Sequence, residues 1–335
     1  MIKNARLFFL IAETPLHPGS GGGVIGIVDL PVQRERYTDF PKIEASSLKG
    51  CIKEAFRIVN PEVEINGKKF KVNDELNYRN SEGKGVKTDY LSLIFGPEKE
   101  GESHASAISF TDARILLFPV KSLKGIFTWI TCPMILERLK KDLKLVKWND
   151  GLPELSIDVK DGICLVSEKN QLNIANNKIV LEEYAFECKV NNKVGEFFNK
   201  LADKIFPSDE EDIYKFWREK LKKDVVVLSD NDFKQFVKGS TEIITRTKIS
   251  DITGTVEPGA LWTEEYLPQD TIFYSIAMAT ELRVDSDEVK KMFGDTPDKE
   301  AEMILRFFEN GVPELIQLGG NQTIGKGIVS IKILK

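Results

Sequence analysis

The sequence predicts an α+β fold in β-α-β-β-α-β order, broken by large insertions. Three observations predict it. Apolar, strand-like runs stand near both ends, Leu7–Ile11 and Gly327–Leu334. An amphipathic helix from Ser46 to about Val59 follows the first run, and another over about residues 298–310 precedes the last. A pair of strand signals, Ala107–Phe110 and Arg114–Val120, lies between the helices. That order is the ferredoxin-like plan. No repeat of fixed period occurs and no linker is visible, so one domain over residues 1–335 is expected.

Each element has a local reason. Thr14-Pro15 bounds the first strand, and residues 14–23 form a loop. Ile25–Asp29 reads as a short extended piece ended by Pro31. In the first helix Ser46 is the expected N-cap. Leu48, Ile52, Ala55, Phe56 and Val59 make one apolar stripe, and Pro61 stops it. Residues 62–90 are polar and rich in Asn, Gly and Lys, so an insertion is expected over 60–90. The strand pair turns at Thr111-Asp112, and Pro133 opens a helix to about Leu145. A second insertion is expected over 147–235, with a strand around N-K-I-V-L and amphipathic helices near 193–205 and 211–222. Glu242–Ser250 alternates as a strand, and Thr271–Ala279 forms another. Thr253-Gly254 and Pro258-Gly259 mark the turn of a β-hairpin within about 246–275.

Composition bounds the chemistry. Hydrophobic residues are 41% and charged residues 30%, enough apolar material for a real core. No apolar run has membrane-spanning length, and the start fits a strand better than a signal peptide. Cys51, Cys132, Cys164 and Cys188 lack metal-ligand spacing and read as reduced thiols of a cytoplasmic protein. His17 and His104 are the only histidines, so a histidine-rich metal centre is excluded. Any metal would be a hard cation on carboxylate, phosphate and water oxygens. The net charge of −5 excludes a wholly basic surface but not a basic groove.

Several motifs suit a polyanion. Gly19-Ser20-Gly21-Gly22-Gly23 lets a backbone approach closely. Gly21, Gly23 and Gly26 satisfy G-x-G-x-x-G, but the extended I-V-D-L-P follows instead of a helix, so this is no dinucleotide site. Lys49, Lys53 and Arg57 recur every four residues as a basic stripe, or as an ordinary solvated face. Arg34 and Arg36 share a side if extended, for phosphate forks or for surface ion pairs. Asp29, among apolar neighbours, is either a turn residue or a placed reactive group. His17 nearby either moves a proton or fixes the loop. Gly320, Gly325 and Lys326 almost spell a Walker A loop. Gly327 replaces the hydroxyl and a strand follows, which argues against an ATPase and leaves a nucleotide hydrolase as the remotest reading.

Taken together, H-P-G-S-G, V-D-L-P, Q-R-E-R and S-S-L-K-G resemble the amino-terminal signature of the RAMP proteins that form the backbone of type III-B CRISPR effector complexes. The resemblance covers about residues 10–57, 91–138, 246–275 and 315–332. It implies a ferredoxin-like/RRM (RAMP) core with a protruding β-hairpin thumb. It also implies a subunit that stacks with copies of itself and with other complex subunits along guide RNA, away from membranes. Complementary target RNA is then cut at regular intervals with Mg²⁺ or another divalent cation. Asp29 is implied as catalytic residue and metal ligand, with His17, Glu264 and Tyr266 beside it. Glu264 or Glu265 would be the second carboxylate opposite Asp29. Gly19, Gly21, Arg34, Arg36, Ser46, Ser47, Lys49, Lys53, Arg57, Gly325, Lys326 and Gly327 are implied RNA contacts, and Trp262 with Tyr266 the wedging aromatics. A non-catalytic scaffold and a stand-alone guide-processing nuclease are the alternative readings.

Overall fold

Strand β1 (Ala5–Ala12) is the axis of the fold. A computed structural model describes residues 4–21, 28–98, 104–148, 151–174, 176–208 and 211–334. Every β1 residue but Arg6 is buried, because both faces of the strand are covered. That is why it reads as an apolar run without alternation.

Strand β2 (Lys42–Ile43) leads into helix α1 (Ala45–Val59). Leu48, Ile52 and Phe56 are its buried stripe, and Asn60 ends it in the left-handed conformation. Ser46 is not the N-cap. Glu44 holds that place, and the Asp112 carboxylate accepts from the Ala45 N–H at 2.9 Å. A carboxylate brought from another segment does the work of the local hydroxyl, so Ser46 and Ser47 stay exposed.

The polar stretch after α1 is two hairpins. Strand β3 (Glu62–Ile65) pairs with β4 (Lys68–Lys71), and β5 (Glu75–Arg79) with β6 (Gly85–Asp89). Val63 and Ile65 alternate into the core. Asp89 caps the short helix α2 (Tyr90–Phe95) by accepting from the Ser92 N–H.

Strands β7 (Ile108–Phe110) and β8 (Ala113–Ser122) correct the expected strand pair. They do not turn back on each other. Both run antiparallel to β16 (Ile272–Ala279) along its same edge, as one strand interrupted at Thr111-Asp112. Thr111 stitches the interruption: its N–H donates to Ile276 O and its hydroxyl accepts from the Ile276 N–H, each at 3.0 Å. The partner strand comes from residue 272 onward, so the longest excursion of the chain falls between the two middle strands.

That excursion closes a barrel. Strand β9 (Ile126–Thr131) turns back on β8, and Pro133 opens helix α3 (Pro133–Leu145). Strands β10 (Ile163–Val166), β11 (Lys178–Leu181) and β12 (Tyr184–Val190) follow. Then come helices α4 (Asn192–Ile205) and α5 (Lys215–Lys223), strand β13 (Val225–Val227) and helix α6 (Asp230–Gly239). The ring runs β8-β9-β13-β10-β12-β11 and returns to β8 through Leu181 and Ser122. Residues 147–235 are therefore not a separate lobe but most of this ring, continuous with the main sheet.

Strands β14 (Glu242–Ile249) and β15 (Val256–Tyr266) form a two-stranded hairpin off the main sheet. After β16, helices α7 (Asp287–Phe293) and α8 (Pro297–Gly311) precede β17 (Leu315–Gln317), a 3-10 turn at Gln322–Ile324 and β18 (Ile328–Ile333). The open half of the sheet has the order β8-β16-β1-β18-β17, all antiparallel. Helices α1 and α8 cover one face: Phe56 stacks on Phe307 at 5.6 Å, and Phe8 meets Phe308 edge-on at 5.5 Å. Helix α3 holds the other face, where Tyr274 donates to the buried Asp142 at 2.9 Å.

Gly311 sets how closely α8 approaches α1. A Cβ there would lie 2.6 Å from Phe56 Cε1 and 2.8 Å from Val63 Cγ1. Gly311→Ala should cost about 1–3 kcal/mol by overpacking. A urea titration checks this as a lower midpoint at unchanged slope; an unmoved midpoint would show that the helices part freely.

Candidate nucleic-acid interface and active site

The second strand of the hairpin, β15, is where the chain's distant segments meet. The stretch from Asp29 to Val32 lies along the edge of β15 that β14 leaves open. Leu30 bridges Glu264 in the parallel sense. The Leu30 N–H donates to Thr263 O, and the Glu265 N–H to Leu30 O, each at 3.0 Å. Asp29 is exposed, and its Oδ2 accepts from the Thr263 N–H at 2.8 Å and the Thr263 hydroxyl at 2.9 Å. The Asp29 N–H returns a bond to Thr263 Oγ1 at 3.0 Å. The Thr263 backbone and then its hydroxyl hold the Asp29 carboxyl below the usual carboxylate range.

Side chains alternate along a strand, so β15 presents two working faces. Thr263 and Glu265 share one. The Glu265 carboxylate pairs with Arg34 and accepts from the Val32 N–H, while its carbonyl accepts from the His17 ring at 2.7 Å. Trp262, Glu264 and Tyr266 share the other. Glu264 accepts from Trp262 Nε1 at 2.9 Å, Arg246 Nε at 3.2 Å, Asn321 Nδ2 at 3.0 Å and the Tyr266 hydroxyl. Burial alone would raise its pKa; the bonds from Tyr266, Trp262 and Arg246 outweigh it, and the net shift is down. Neither glutamate stands opposite Asp29 as a free carboxylate. Glu264 lies across the strand with its oxygens occupied, and Glu265, on the Asp29 side, is taken up by Arg34 and Val32. Tyr266 is fully buried, which removes it as a wedging surface, and half-buried Trp262 sits at the hairpin base. The most exposed apolar side chain at the hairpin tip is Ile252, flanked by exposed Ile249 and Val256.

His17 is buried and enclosed. A Cβ on Gly19 would come within 3.0 Å of its Nε2, and Gly320 donates to the His17 carbonyl at 3.1 Å. Of its two sequence readings, this geometry is that of the loop-fixing one. Gly319 and Gly327 are close-approach glycines at positive φ: a Cβ would lie 2.4 Å from His17 O and 2.2 Å from Leu318 O, respectively. Gly327 therefore shapes the loop from within, whereas Gly21 and Gly325 have positive φ and open space around them. Lys326 lies 5.2 Å over the Tyr266 ring.

The basic stripe of α1 is largely neutralised. Lys53 is buried, donating to Gly96 O at 2.7 Å and pairing with Glu98 at 2.8 Å. Arg57 pairs with Glu54 and Glu98. The row faces the loop after α2 rather than open solvent, a tertiary contact that helical spacing does not reveal. Lys49 has no ion-pair partner among the described residues, and burial, then Lys53, hold its pKa down. Arg34 and Arg36 also part company. Arg34 is inward, bonded to Asp39 O and Val237 O as well as Glu265, while Arg36 sits exposed in a turn. The segment bends at residues 36–38, so the period-two argument does not apply. The Cys51 thiol reaches the Gly319 backbone, which sets the middle of α1 beside the glycine-rich loop. The glycine-rich loop that carries Gly325 and Lys326 is thus joined to α1 at Cys51 and to β15 through Asn321.

Thr263, Arg246 and Asn321 escaped the sequence reading. Only the strand register, which sets Arg246 opposite Trp262, marks Arg246. Asn321 is marked by its left-handed conformation in a glycine-rich loop. Gly22, Gly23, Gly26 and most of the expected Ile25–Asp29 strand lie outside the described residues. Among the described residues no three His, Cys, Asp or Glu side chains gather as a metal cage, and no helix is long and apolar enough to cross a membrane.

Comparison with known proteins follows the same lines. The RAMP superfamily model matches residues 9–330. The chain is 34% identical to the CRISPR system Cmr endoribonuclease Cmr4 of Pyrococcus furiosus, over 98% of this chain and 95% of that protein. Its fold is similar to the crystal structure of oligomeric Cmr4 from Pyrococcus furiosus, with a TM-score of 0.66 and 28% identity over 99% of this chain and 98% of that one. A subunit of the type III-B Cmr-beta complex bound to cognate target RNA shares the fold at 24% identity and a TM-score of 0.65, over 99% of this chain and 98% of that one.

The Glu264 carboxylate should be a structural fastener. Glu264→Ala leaves four donors without their acceptor and should destabilise the junction by about 1–3 kcal/mol. Because the folded-state pKa of Glu264 is lowered, its contribution is present above the ordinary glutamate range and lost as pH falls through the folded value. Trp262 fluorescence in the intact protein should therefore change in acid, and at neutral pH in Glu264→Ala. An acid titration with no Trp262 change would refute the fastening.

Proposed function

The chain belongs to the RAMP superfamily and, within it, to the Cmr4 family. On that premise we propose that it is the repeated backbone subunit of a type III-B CRISPR effector complex, and an endoribonuclease within it. Copies stack along guide RNA with other subunits of the complex. Base pairing selects the target while the protein reads backbone and shape. The carrying observation is the fastening of an exposed, ionised Asp29 to the base of the projecting β14–β15 hairpin, next to the surface formed by α1 and the glycine-rich loop. We read residues 1–335 as one RAMP domain. The order β18-β1-β16-β8, with α1 and α8 on one face, supports a ferredoxin-like core. The hairpin is the thumb, and the exposed tip at Ile252 suits wedging better than buried Tyr266 does.

Asp29 supports orientation and charge placement rather than proton removal. A carboxylate held below its usual range is a weak base at neutral pH. With one carboxylate and no cage among the described residues, a divalent cation fits if held jointly by Asp29, phosphate oxygens and water. When bound, it would neutralise charge developing on the scissile phosphate. The expected nucleophile is the 2′-hydroxyl next to that phosphate, attacking phosphorus as the 5′-oxygen leaves. Ser46, Ser47, Lys49 and Lys326 are the proposed phosphate contacts, with backbone approach at Gly325, which has open space around it.

Two measurements test this. In complexes assembled with guide RNA and labelled target, Asp29→Ala should abolish evenly spaced cuts at unchanged target affinity. Wild-type products should carry 2′,3′-cyclic phosphate and 5′-hydroxyl ends; 5′-phosphate ends would reject the internal nucleophile. Separately, Lys49→Ala should weaken guide binding and reduce the magnitude of the log–log salt slope by about 1 per subunit. An unchanged slope would remove Lys49 from the phosphate contacts.

A further inference from the structure

Asp29 is held by one residue that the family motifs did not mark. We infer that Thr263 is the positioning residue of the cleavage site, and that through it the hairpin sets where the Asp29 carboxylate points. This rests on the role proposed for Asp29. The geometry is specific to that side chain. The Thr263 hydroxyl donates to Asp29 Oδ2 at 2.9 Å and accepts from the Asp29 N–H at 3.0 Å. The Thr263 N–H adds a third bond at 2.8 Å, again to Oδ2. Oδ1 has no bond among the described residues, and Asp29 is exposed, so one oxygen is spent on position while the other is left for chemistry.

The arrangement also couples two events. Leu30 is laid along β15 by two backbone bonds, so Asp29 is anchored to the second strand of the hairpin. Thr263 lies between Trp262, at the hairpin base, and Glu264, which fastens that base to Asn321. A duplex that shifts the base of the hairpin would therefore shift the carboxylate with it. Exposed loop residues seldom hold a side chain to sub-ångström tolerance alone, and misplacement by about 1 Å can cost on the order of a hundredfold in rate. A hydroxyl on the hairpin gives the carboxylate a fixed reference to the target.

Thr263→Val removes the hydroxyl and keeps the shape, while Thr263→Ser keeps the hydroxyl. In complexes assembled with guide RNA, single-turnover cleavage at saturating target should fall roughly ten- to a hundredfold in Thr263→Val. Target affinity should stay within about twofold, and Thr263→Ser should recover most of the rate. A second readout needs neither RNA nor cation. Amide hydrogen exchange at Asp29 in the free protein should quicken about two- to tenfold in Thr263→Val and not in Thr263→Ser. If Asp29→Ala is inactive but Thr263→Val cuts at the wild-type rate, the positioning role is overturned. Lost rate together with lost target affinity in Thr263→Val would also overturn it, in favour of a general role in hairpin structure. Should Asp29→Ala itself cut normally, the proposed site falls, and the role of Thr263 with it.

Discussion

Five consecutive residues, Trp262 to Tyr266, fasten the molecule's functional end. Their alternation sends side chains to opposite faces of one strand. On one face Glu264 collects bonds from Arg246, Trp262, Tyr266 and Asn321. On the other, Thr263 and Glu265 take hold of Asp29, Val32 and Arg34, while the Glu265 carbonyl receives His17. Segments more than 200 residues apart are thus joined across one strand's width. Buried carboxylates are costly unless their lone pairs are filled, and both glutamates meet that demand.

The charge distribution follows from this fastening. The cations that serve as internal partners, Arg34, Lys53 and Arg57, are turned toward Glu265 and Glu98. Lys49 has no such partner among the described residues, Lys326 rests on an aromatic ring, and Arg36 stands in solvent. A chain of net charge −5 can therefore still present a local anion-binding surface, because its acids have been matched to other cations.

Much of the fold was legible because the physics is local. Helices α1, α3, α4 and α8 were marked by apolar periodicity, and the first and last strands by apolar runs, with Pro, Asn or Gly at their ends. The hairpin was marked by turn residues between alternating arms. The pairing of β7 with β8 was misread because Thr111-Asp112 looks like a tight turn. In the fold, Thr111 bonds to Ile276 and Asp112 caps α1, so these residues serve an interruption and a distant helix end. Nor could the barrel be foreseen: its closure between Leu181 and Ser122 joins strands that carry no local sign of each other.

The site divides the same way. Sequence by itself determined the residue types available: a lone aspartate after a glycine loop, a serine-led helix, a glycine-rich final turn and a hairpin between them. These properties depend on neighbours within a few positions, where backbone geometry leaves few choices. Tertiary structure alone decided which groups are free to act. It buried Lys53, pinned His17, turned Arg34 inward and occupied Glu264, while leaving Asp29 exposed on Thr263. The reason is physical: whether a charged group is a partner or a tool depends on what else reaches its lone pairs and protons. In this chain those contacts come from other elements of the fold, for His17 and Arg34 from residues more than 200 positions away.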